Sequence, residues 1–440
     1  MNRDDFEREF HSRTLAYLPE FRTDSRPVVV AVGADAHSAP GHVILLGLVN
    51  LLARAHQRIV VVGDLDGDLL CEDPFHHRRL QTAVLELARG INPYIEMDVT
   101  HTRPRTEPLI SIGIGTPADL RLGCEGWTAL FGELVEVDHE PTSMPGAVLV
   151  ACLGAATAFH RQLGASALPT GPYSLWEYVR NSPKQGPAVE GPIDVGRTLQ
   201  VGVGAVGAAL NYWMAFLGFV GPWTLVDGDN VDVTNLNRQL YFLAVDAGWP
   251  DVHAVNKATA VADRLGNRAI ASPHHYGLNH RIVDAEYDLV LALANEWGVR
   301  PALQSRPEPV LLHATTTPTW TAISHRHIAG RDDCIVCRLP YEEDPTFKCS
   351  TAPVGPRRRN DASLPFLAGL AGAMLLRDLV ALQYGCLHER PTNFASVDLR
   401  EPTPFTRELK WQCREGCRAR LPGYLRRSLA AGNRYIHLDR

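Results

Sequence analysis

Three glycines in the stretch LQVGVGAVGAAL have a spacing suited to binding a phosphate: Gly202, Gly204 and Gly207 form G-x-G-x-x-G. The pattern lies between a strand-like run and a helix-like run, and a helix N-terminus offers unpaired N–H groups and a positive dipole end to an anion. Asp227 ends the next strand-like run, WTLVD, about where a nucleotide-binding fold puts a ribose-binding carboxylate. These residues predict a nucleotide site, and so far NAD fits as well as ATP.

The segment after Asp227, GDNVDVTNLNRQLYF, favours ATP over NAD. Asn235 and Arg238 are three positions apart, so on a helical turn they would share a face. An arginine beside a helix N-terminus suits a triphosphate, which carries more charge than the pyrophosphate of a dinucleotide. Lys257, in HAVNKATAVADRL, offers a second cation.

Two close pairs of cysteines have the spacing of metal ligands. Cys334 and Cys337 form C-x2-C, and Cys413 and Cys417 form C-x3-C. Two such pairs, brought together across a long stretch of chain, predict a structural zinc site with four thiolate ligands. The alternative is that these residues are reduced surface thiols.

Cys349 belongs to neither pair and is a candidate nucleophile. It follows Lys348 and precedes three arginines at positions 357–359. Neighbouring cations lower the pKa of a thiol and favour the nucleophilic thiolate. A passive loop thiol is the alternative role for this residue.

The elements that must position these residues occur twice along the chain. Residues 26–63 read as strand, helix and strand, and the alternation starts again at Thr198 after a stretch rich in Pro and Gly. This pattern predicts an α/β fold with parallel sheets. The first turn, GADAHSAPG, lacks the tight glycine spacing and carries Asp35 and Pro40 where a phosphate would approach. We therefore expect two Rossmann-like halves, of which the first is degenerate and the second is equipped to bind a nucleotide.

The domain boundaries follow from this reading. We predict a degenerate α/β domain over residues 1–165, a linker over 166–195 and an active ATP-binding domain over 196–330. The remaining residues, 331–440, would hold the zinc site, the reactive cysteine and a C-terminal crossover segment.

Composition restricts the class of protein. The 440 residues are 45% hydrophobic and 21% charged, with a formal net charge of −6, which disfavours a nucleic-acid partner. The N-terminus, MNRDDFEREF, is too charged for a signal peptide. The longest apolar run, LPFLAGLAGAMLLRDLVAL, is interrupted by Arg377 and Asp378, so it predicts a buried helix and no membrane span. We expect a cytoplasmic protein whose nine cysteines serve as thiols and metal ligands.

The run GVGAVG…LVDGDNVDVTNLNRQ…K resembles the adenylation domain of the ThiF/MoeB and ubiquitin-activating enzyme superfamily, over roughly residues 196–420. The resemblance implies that ATP is used to adenylate the C-terminal glycine carboxylate of a ubiquitin-like protein. The residues expected at the ATP and magnesium site are Gly202, Gly204, Gly207, Asp227, Asp229, Asn235, Arg238, Gln239, Lys257 and Asn295.

The resemblance extends to features outside the glycine loop. It implies that the first half is an inactive adenylation domain, which pairs with the active half as a pseudo-dimer. It implies a zinc knuckle at the four cysteines and a thioester-forming role for Cys349. Arg13, in FHSRTLAY, would be the arginine that family members insert into the ATP site of the partner half, and an exposed helix arginine is the alternative.

One position departs from the family pattern. The segment VLALANEWGVR has Asn295 where the family has an aspartate that helps to hold magnesium. A carboxamide oxygen binds magnesium more weakly than a carboxylate, and Glu296 or Asp229 would have to compensate. A non-catalytic scaffold that keeps only the fold is therefore one alternative.

The function expected from the sequence is activation of a ubiquitin-like protein, with thioester formation on Cys349 and transfer to a ubiquitin-conjugating-type enzyme. No nucleic-acid or membrane partner is expected, and a homodimer is left open. One alternative is activation of a sulfur-carrier protein for thiamin or molybdopterin synthesis, which the fused degenerate half disfavours. Another is an NAD-dependent dehydrogenase, which Asn235 and Arg238 disfavour.

Overall fold

The computed structural model divides into a first and a second half, each built around one sheet. It describes residues 2–19, 21–132, 137–182, 185–277, 282, 285–296, 298–339, 364–390, 392–400, 406–408, 412–417 and 419–439. Cys349 lies outside these described residues, and so do Lys348 and the arginines at 357–359.

The first half contains five α-helices and eight strands among the described residues, and its last two strands follow its last helix. Its helices are α1 (Arg3–Phe10), α2 (Ser12–Tyr17), α3 (Ala39–Ala53), α4 (Leu80–Ile91) and α5 (Met144–Gln162). Its strands are β1 (Val28–Val32), β2 (Arg58–Val62), β3 (Glu96–Thr100), β4 (Ile110–Ile114), β5 (Leu120–Glu125), β6 (Thr128–Gly132), β7 (Gly171–Ser174) and β8 (Val179–Arg180).

Within the described residues, the second half has the same number of strands as the first. Its helices are α6 (Ala205–Leu217), α7 (Val233–Leu236), α8 (Lys257–Leu265), α9 (Val299–Gln304), α10 (Ile335–Arg338), α11 (Pro365–Gln383) and α12 (Gly423–Leu429). Its strands are β9 (Thr198–Val201), β10 (Trp223–Val226), β11 (Ala269–Ser272), β12 (Leu289–Ala292), β13 (Val310–Thr316), β14 (Thr321–Ile328), β15 (Phe394–Asp398) and β16 (Thr406–Glu408).

The two sheets have the same topology. The first runs β3-β2-β1-β4-β5-β6-β7-β8 and the second runs β11-β10-β9-β12-β13-β14-β15-β16. In each sheet the first five strands of this order are parallel, and the last three are antiparallel to their neighbours. The chain therefore contains two α/β halves of one design, which confirms the predicted fold class.

The central strands form where the sequence has continuous apolar runs. All five residues of β1 and all four of β9 are buried, because helices cover both faces of a parallel sheet. β1 pairs with β2 on one side and β4 on the other, and β9 pairs with β10 and β12. In both sheets the chain reverses its winding direction beside this first strand, and ligands of open α/β sheets bind at such switch points.

The halves are joined by one hydrophobic core, in which helices α3, α5, α6 and α11 pack together. Trp213 of α6 is fully buried and donates its indole N–H to the carbonyl of Gly369 on α11 at 2.9 Å. A Cβ at Gly47 of α3 would lie 3.1 Å from the Trp213 ring, and one at Gly372 of α11 would lie 2.8 Å from a backbone nitrogen of α6. Small residues are therefore what let these helices approach across the junction of the two halves.

Helix α11 contains the apolar run that is interrupted by Arg377 and Asp378. By length and composition alone it could cross a membrane, but its most apolar 18-residue window is 100% buried within the protein. Arg377 and Asp378 pair with each other at 3.0 Å, and the Arg377 guanidinium stacks over Trp176. The expectation of a buried helix is confirmed.

The Pro- and Gly-rich segment between the halves differs from the expectation of a simple linker. Residues 171–174 and 179–180 form β7 and β8, which extend the first sheet past β6. Pro172 sits near this edge of the sheet, where a strand residue that cannot donate a backbone hydrogen bond is tolerated.

Candidate active site

The glycine loop after β9 shows why two of its three glycines are needed and what space the third leaves open. Gly202 has φ of +101°, and a Cβ there would lie 2.6 Å from the backbone of Ala294. A Cβ at Gly207 would lie 2.3 Å from the carbonyl oxygen of Gly202. A Cβ at Gly204 would meet no described atom within 4 Å. Two glycines therefore close the turn, and the third leaves space at the N-terminus of α6, where a phosphate would bind.

The matching loop of the first half is closed. The hydroxyl of Ser38 caps α3 by accepting from the N–H of Gly41 at 3.1 Å. The N-terminus of α3 is thus capped by the protein's own loop, whereas the N-cap of α6 is Gly204, which has no side chain to cap the helix.

Asp227 ties the glycine loop to the segment that follows β10. Its Oδ2 accepts from the backbone N–H of Val203 at 2.7 Å, and its Oδ1 accepts from the N–H of Asp229 at 3.0 Å. Burial raises the pKa of Asp227, although Lys257 and these two N–H donors act in the opposite direction. The carboxylate therefore fixes the loop as well as facing the site.

Lys257 and Asp229 form a buried ion pair beside this loop. The Nζ of Lys257 lies 3.0 Å from Oδ2 of Asp229, and the two side chains are 4% and 11% exposed. Asn256 fixes the loop at residues 227–229, because its Nδ2 donates to the carbonyls of Asp227 and Asp229 at 2.9 and 3.0 Å. Asn256 also caps α8 by accepting from the N–H of Thr259. Lys257, the predicted phosphate-binding cation, is thus the first residue of a helix that Asn256 caps.

The short helix α7 carries the motif between Asp227 and Lys257. Asp232 and Asn235 form a reciprocal capping box at its N-terminus. Arg238 and Gln239 follow the helix and are 6% and 3% exposed. The Arg238 guanidinium donates to the carbonyl of Thr234 and to the side chain of Asn237. Among the described residues the Oε1 of Gln239 has no hydrogen-bond partner, so a ligand donor would satisfy it.

Arg13 lies against this motif although it comes from α2 in the first half. Its Nε lies 3.4 Å from the hydroxyl oxygen of Thr234 on α7. The adjacent Thr14 accepts at its hydroxyl from Nδ2 of Asn237 at 3.0 Å. The N-terminal segment therefore contacts the loop that carries Asn235 and Arg238.

The segment after β12 contains the position that departs from the family pattern. The Oδ1 of Asn295 accepts from Nη2 of Arg300 at 2.7 Å, so this amide oxygen already has a cationic partner. The neighbouring Glu296 carboxyl has a raised pKa, because it is buried and feels the negative charges of Asp227 and Asp229. Glu296 therefore lies near the carboxylates of Asp227 and Asp229.

The two cysteine pairs meet, as their spacing predicts. The Sγ atoms of Cys334, Cys337, Cys413 and Cys417 all lie within 4.8 Å of one another. The Sγ of Cys417 is 3.6 Å from that of Cys334 and 3.5 Å from that of Cys337. A tetrahedral zinc ion with Zn–S bonds of about 2.3 Å separates its sulfurs by about 3.8 Å.

Backbone donors complete this cysteine cluster. The N–H of Cys334 donates to Sγ of Cys413 at 3.2 Å, and the N–H of Cys337 donates to Sγ of Cys334 at 3.4 Å. Such bonds stabilise thiolate charge, which four coordinating sulfurs require. The residues present fit a zinc ion. Cys349 cannot be placed relative to them, because it lies outside the described residues.

Of the site residues that the sequence reasoning missed, only Asn256 has a local signal, because an asparagine directly before a helix is a common capping residue. Arg300 and Thr234 contact Asn295 and Arg13 only through the fold.

A doubled α/β fold with one open glycine loop is the architecture of a nucleotide-binding protein. The chain belongs to the ThiF family, which matches residues 192–419, just over half of its length. Residues 27–170 match a second family, the BilD N-terminal domain. The two matches fall on the second and the first half respectively.

Three similar proteins illustrate the relationship. The uncharacterized protein y4jF of Sinorhizobium fredii is 31% identical over 261 residues, and the match covers 56% of this chain and 47% of that relative. The molybdopterin-synthase adenylyltransferase of Salmonella typhimurium is 26% identical, over 50% of this chain and 85% of its own. Among solved structures, E. coli MccB with MccA-N7isoASN is 12% identical, with a TM-score of 0.41, over 68% of this chain and 97% of that chain.

Proposed function

We propose that the chain activates a ubiquitin-like protein by adenylating its C-terminal glycine with ATP. The observation that supports this most is the open glycine loop at Gly204, joined through Asp227 to the buried pair of Asp229 and Lys257. A phosphate bound at this helix N-terminus would lie near a buried lysine. The similarity to an enzyme named molybdopterin-synthase adenylyltransferase supports transfer of an adenylyl group.

In the proposed adenylation step the protein stabilises charge and forms no covalent bond to the substrate. An oxygen of the glycine carboxylate attacks the α-phosphorus of ATP, a P–O bond forms, and the bond to the leaving pyrophosphate breaks. Arg238 and Lys257 would neutralise the phosphate charge, and Asn235 would orient a phosphate oxygen. Arg13 would add a further positive charge from the first half. Magnesium would supply additional neutralisation of the pyrophosphate.

Two carboxylates of the site would hold a magnesium ion that also binds phosphate oxygens. Magnesium is usually held by one or two carboxylates together with substrate phosphates. Glu296 and Asp229 are the acidic side chains proposed for this, since Asp229 lies close enough to raise the pKa of both Glu296 and Asp227. Asn295 would contribute through its bond to Arg300, which orients the segment.

The second step of the proposal takes place at Cys349. Its thiolate would attack the carbonyl carbon of the acyl-adenylate, so that a thioester bond forms and AMP leaves. A ubiquitin-conjugating-type enzyme would then accept the modifier on its own cysteine. The four-cysteine cluster would hold a structural zinc ion that stabilises the second half.

Activation of a sulfur-carrier protein is the second candidate. It is favoured by the name of the 26% identical relative. It is disfavoured by the first half, because that half matches a separate family and its own glycine loop is closed.

The deciding experiment uses the full chain with ATP, magnesium and a ubiquitin-like protein that ends in glycine. We expect exchange of labelled pyrophosphate into ATP and a covalent adduct that disappears under reducing agent. Cys349→Ala should keep the exchange and lose the adduct, whereas Cys386→Ser, a cysteine outside the four-cysteine cluster, should keep both. A Cys349→Ala protein that still transfers the modifier at the normal rate would leave adenylation without a thioester, as in sulfur-carrier activation.

A further inference from the structure

Arg54 is a buried arginine of the first half whose hydrogen bonds reach into the second half. It follows the last residue of α3 and is 1% exposed. Its Nη2 donates to the carbonyl of Leu240 at 2.8 Å and to that of Phe242 at 3.1 Å, and its Nη1 donates to the carbonyl of Leu236. Three backbone carbonyls of one short segment thus converge on a single guanidinium.

Asn50, one helical turn earlier, completes the arrangement. Its Oδ1 accepts from Nε of Arg54 at 2.8 Å, and its Nδ2 donates to the carbonyl of Leu240 at 3.0 Å. Residues four apart on a helix share a face, so the two side chains act on the same segment. We call Asn50 and Arg54 together the α3 clamp.

The acceptors of the α3 clamp are uncharged, which makes the arrangement costly unless it is well satisfied. Burial lowers the pKa of Arg54 to about 9, and Asp246 and Tyr212 act in the opposite direction. Every hydrogen bond that Arg54 makes to the described residues goes to a backbone carbonyl or to Asn50. Leu236 is the last residue of α7, and the carbonyls at a helix C-terminus lack partners within the helix. The guanidinium supplies those partners.

The segment held by the α3 clamp carries the most specific part of the motif. Arg238 and Gln239 lie between the carbonyls of Leu236 and Leu240, and Tyr241 and Phe242 anchor the far end in the core. The backbone path across Arg238 is therefore fixed at both ends from the first half. A guanidinium with a rigid fork of donors is suited to fixing several carbonyls at once.

We propose that Arg54, supported by Asn50, is a positioning residue that the closed first half uses to set the backbone of residues 236–242 and thereby the ATP-binding geometry of Arg238 and Gln239. The inference rests on the proposed ATP site of the second half. It also gives the first half a role other than nucleotide binding, since the hydroxyl of Ser38 already caps the N-terminus of α3.

The first test measures the clamp without any ligand. Hydrogen exchange of the full chain should show faster exchange of the amides at residues 237–242 in Arg54→Met than in the unchanged chain. Tyr178→Phe is the matched control, because Tyr178 also donates from the first half to a buried carbonyl of the second half, that of Met374 at 3.2 Å. It should leave exchange at 237–242 unchanged. Equal exchange at 237–242 in Arg54→Met and the unchanged chain overturns the inference.

The second test measures ATP affinity by calorimetry with ATP and magnesium alone. Arg54→Met should weaken binding by about tenfold or more, and Asn50→Ala by less, since it removes fewer of the bonds. In an Arg238→Ala background the same Arg54→Met change should have little further effect, because interacting residues are not additive. A purely structural role would instead give the same loss in both backgrounds, which overturns the inference.

The following outcomes distinguish a failure of this inference from a failure of the proposed function. If the unchanged chain binds no ATP, the proposed function fails, and the exchange measurement still decides whether the clamp orders residues 236–242. If Arg54→Met does not fold, Asn50→Ala and Arg54→Lys take its place, and full ATP affinity in both variants overturns the inference. If the chain binds ATP but adenylates no ubiquitin-like protein, only the proposed substrate is wrong.

Discussion

The Nε of Arg13 lies 3.4 Å from the hydroxyl oxygen of Thr234, although 221 positions separate the two residues in the chain. This contact brings a cation of the N-terminal segment to the turn that carries Asn235 and Arg238. It is reinforced by the bond from Asn237 to Thr14 at 3.0 Å. The first half therefore contacts α7 and the residues that follow it from two places, α2 and the end of α3.

Replacing Arg13 by alanine should weaken ATP use without unfolding the protein. We expect the KM for ATP in pyrophosphate exchange to rise by roughly tenfold, because one charge-assisted contact to phosphate is lost. Arg8→Ala is the control, since Arg8 is 72% exposed and pairs only locally with Asp5 in the described contacts. Equal kinetics for Arg13→Ala and Arg8→Ala would show that Arg13 is an ordinary helix arginine.

Breaking the ion pair of Lys257 and Asp229 should cost stability as well as function. Lys257→Met leaves a buried carboxylate without its partner, which costs about 3 kcal/mol in the free energy of unfolding. The double variant with Asp229→Asn should recover much of that loss but not ATP binding. Urea denaturation measures the free energy of unfolding of both variants. The exposed pair of Arg197 and Glu286, 3.9 Å apart, is the comparison, and breaking it should change that free energy by under about 1 kcal/mol. A loss no larger than that of the exposed pair would contradict this prediction.

Removal of one cysteine of the cluster should release the metal and loosen the second half. Elemental analysis of the unchanged chain should find one zinc ion per chain, and Cys334→Ser should reduce this strongly. The melting temperature should fall by roughly 5 °C or more, because binding of a structural zinc ion contributes to folding. Cys386→Ser should retain the zinc. A metal-free protein of unchanged stability would rule the zinc site out.

The raised pKa of Glu296 predicts a pH-dependent cost in stability. The folded state binds the Glu296 proton more tightly than the unfolded state, so stability from this group is full below its ordinary pKa of 4.5 and declines as pH rises through the folded value. Glu296→Gln should therefore be more stable than the unchanged chain at pH 7, and the difference should shrink toward pH 4. The same variant should bind ATP with magnesium more weakly.

Urea denaturation between pH 4 and pH 8 measures this effect. Glu286→Gln is the control, because Glu286 is 83% exposed and its substitution should leave the pH profile unchanged. If Glu296→Gln and the unchanged chain have parallel profiles, the Glu296 carboxyl does not carry the cost.

The features that the sequence predicted correctly are those set by local chain geometry. Gly202 has a positive φ of +101°, which favours glycine, and a Cβ at Gly207 would lie 2.3 Å from the carbonyl oxygen of Gly202 within the same turn. The close spacing within each cysteine pair is likewise a local property, and it was enough to predict the cluster. The apolar runs of β1 and β9 revealed two parallel sheets because burial on both faces demands such runs.

The sequence did not reveal β7 and β8. Four and two residues are too short to show a periodic pattern, and proline beside glycine usually marks a turn. These strands exist because the antiparallel edge at β6 offers unpaired backbone groups to the chain that passes it.

Contacts between the halves were decided only by the tertiary structure. Arg54 is one more arginine at a helix end in the sequence, and nothing local distinguishes it from an exposed one. Its burial against the carbonyls of Leu236, Leu240 and Phe242 depends on how α3 packs beside α6 and α11. This guanidinium is 182 or more positions from its carbonyl acceptors and reaches them through packing of small residues such as Gly47 and Gly369 at the helix junction. Local spacing thus determined which groups could do chemistry, and helix packing determined which distant groups hold them in place.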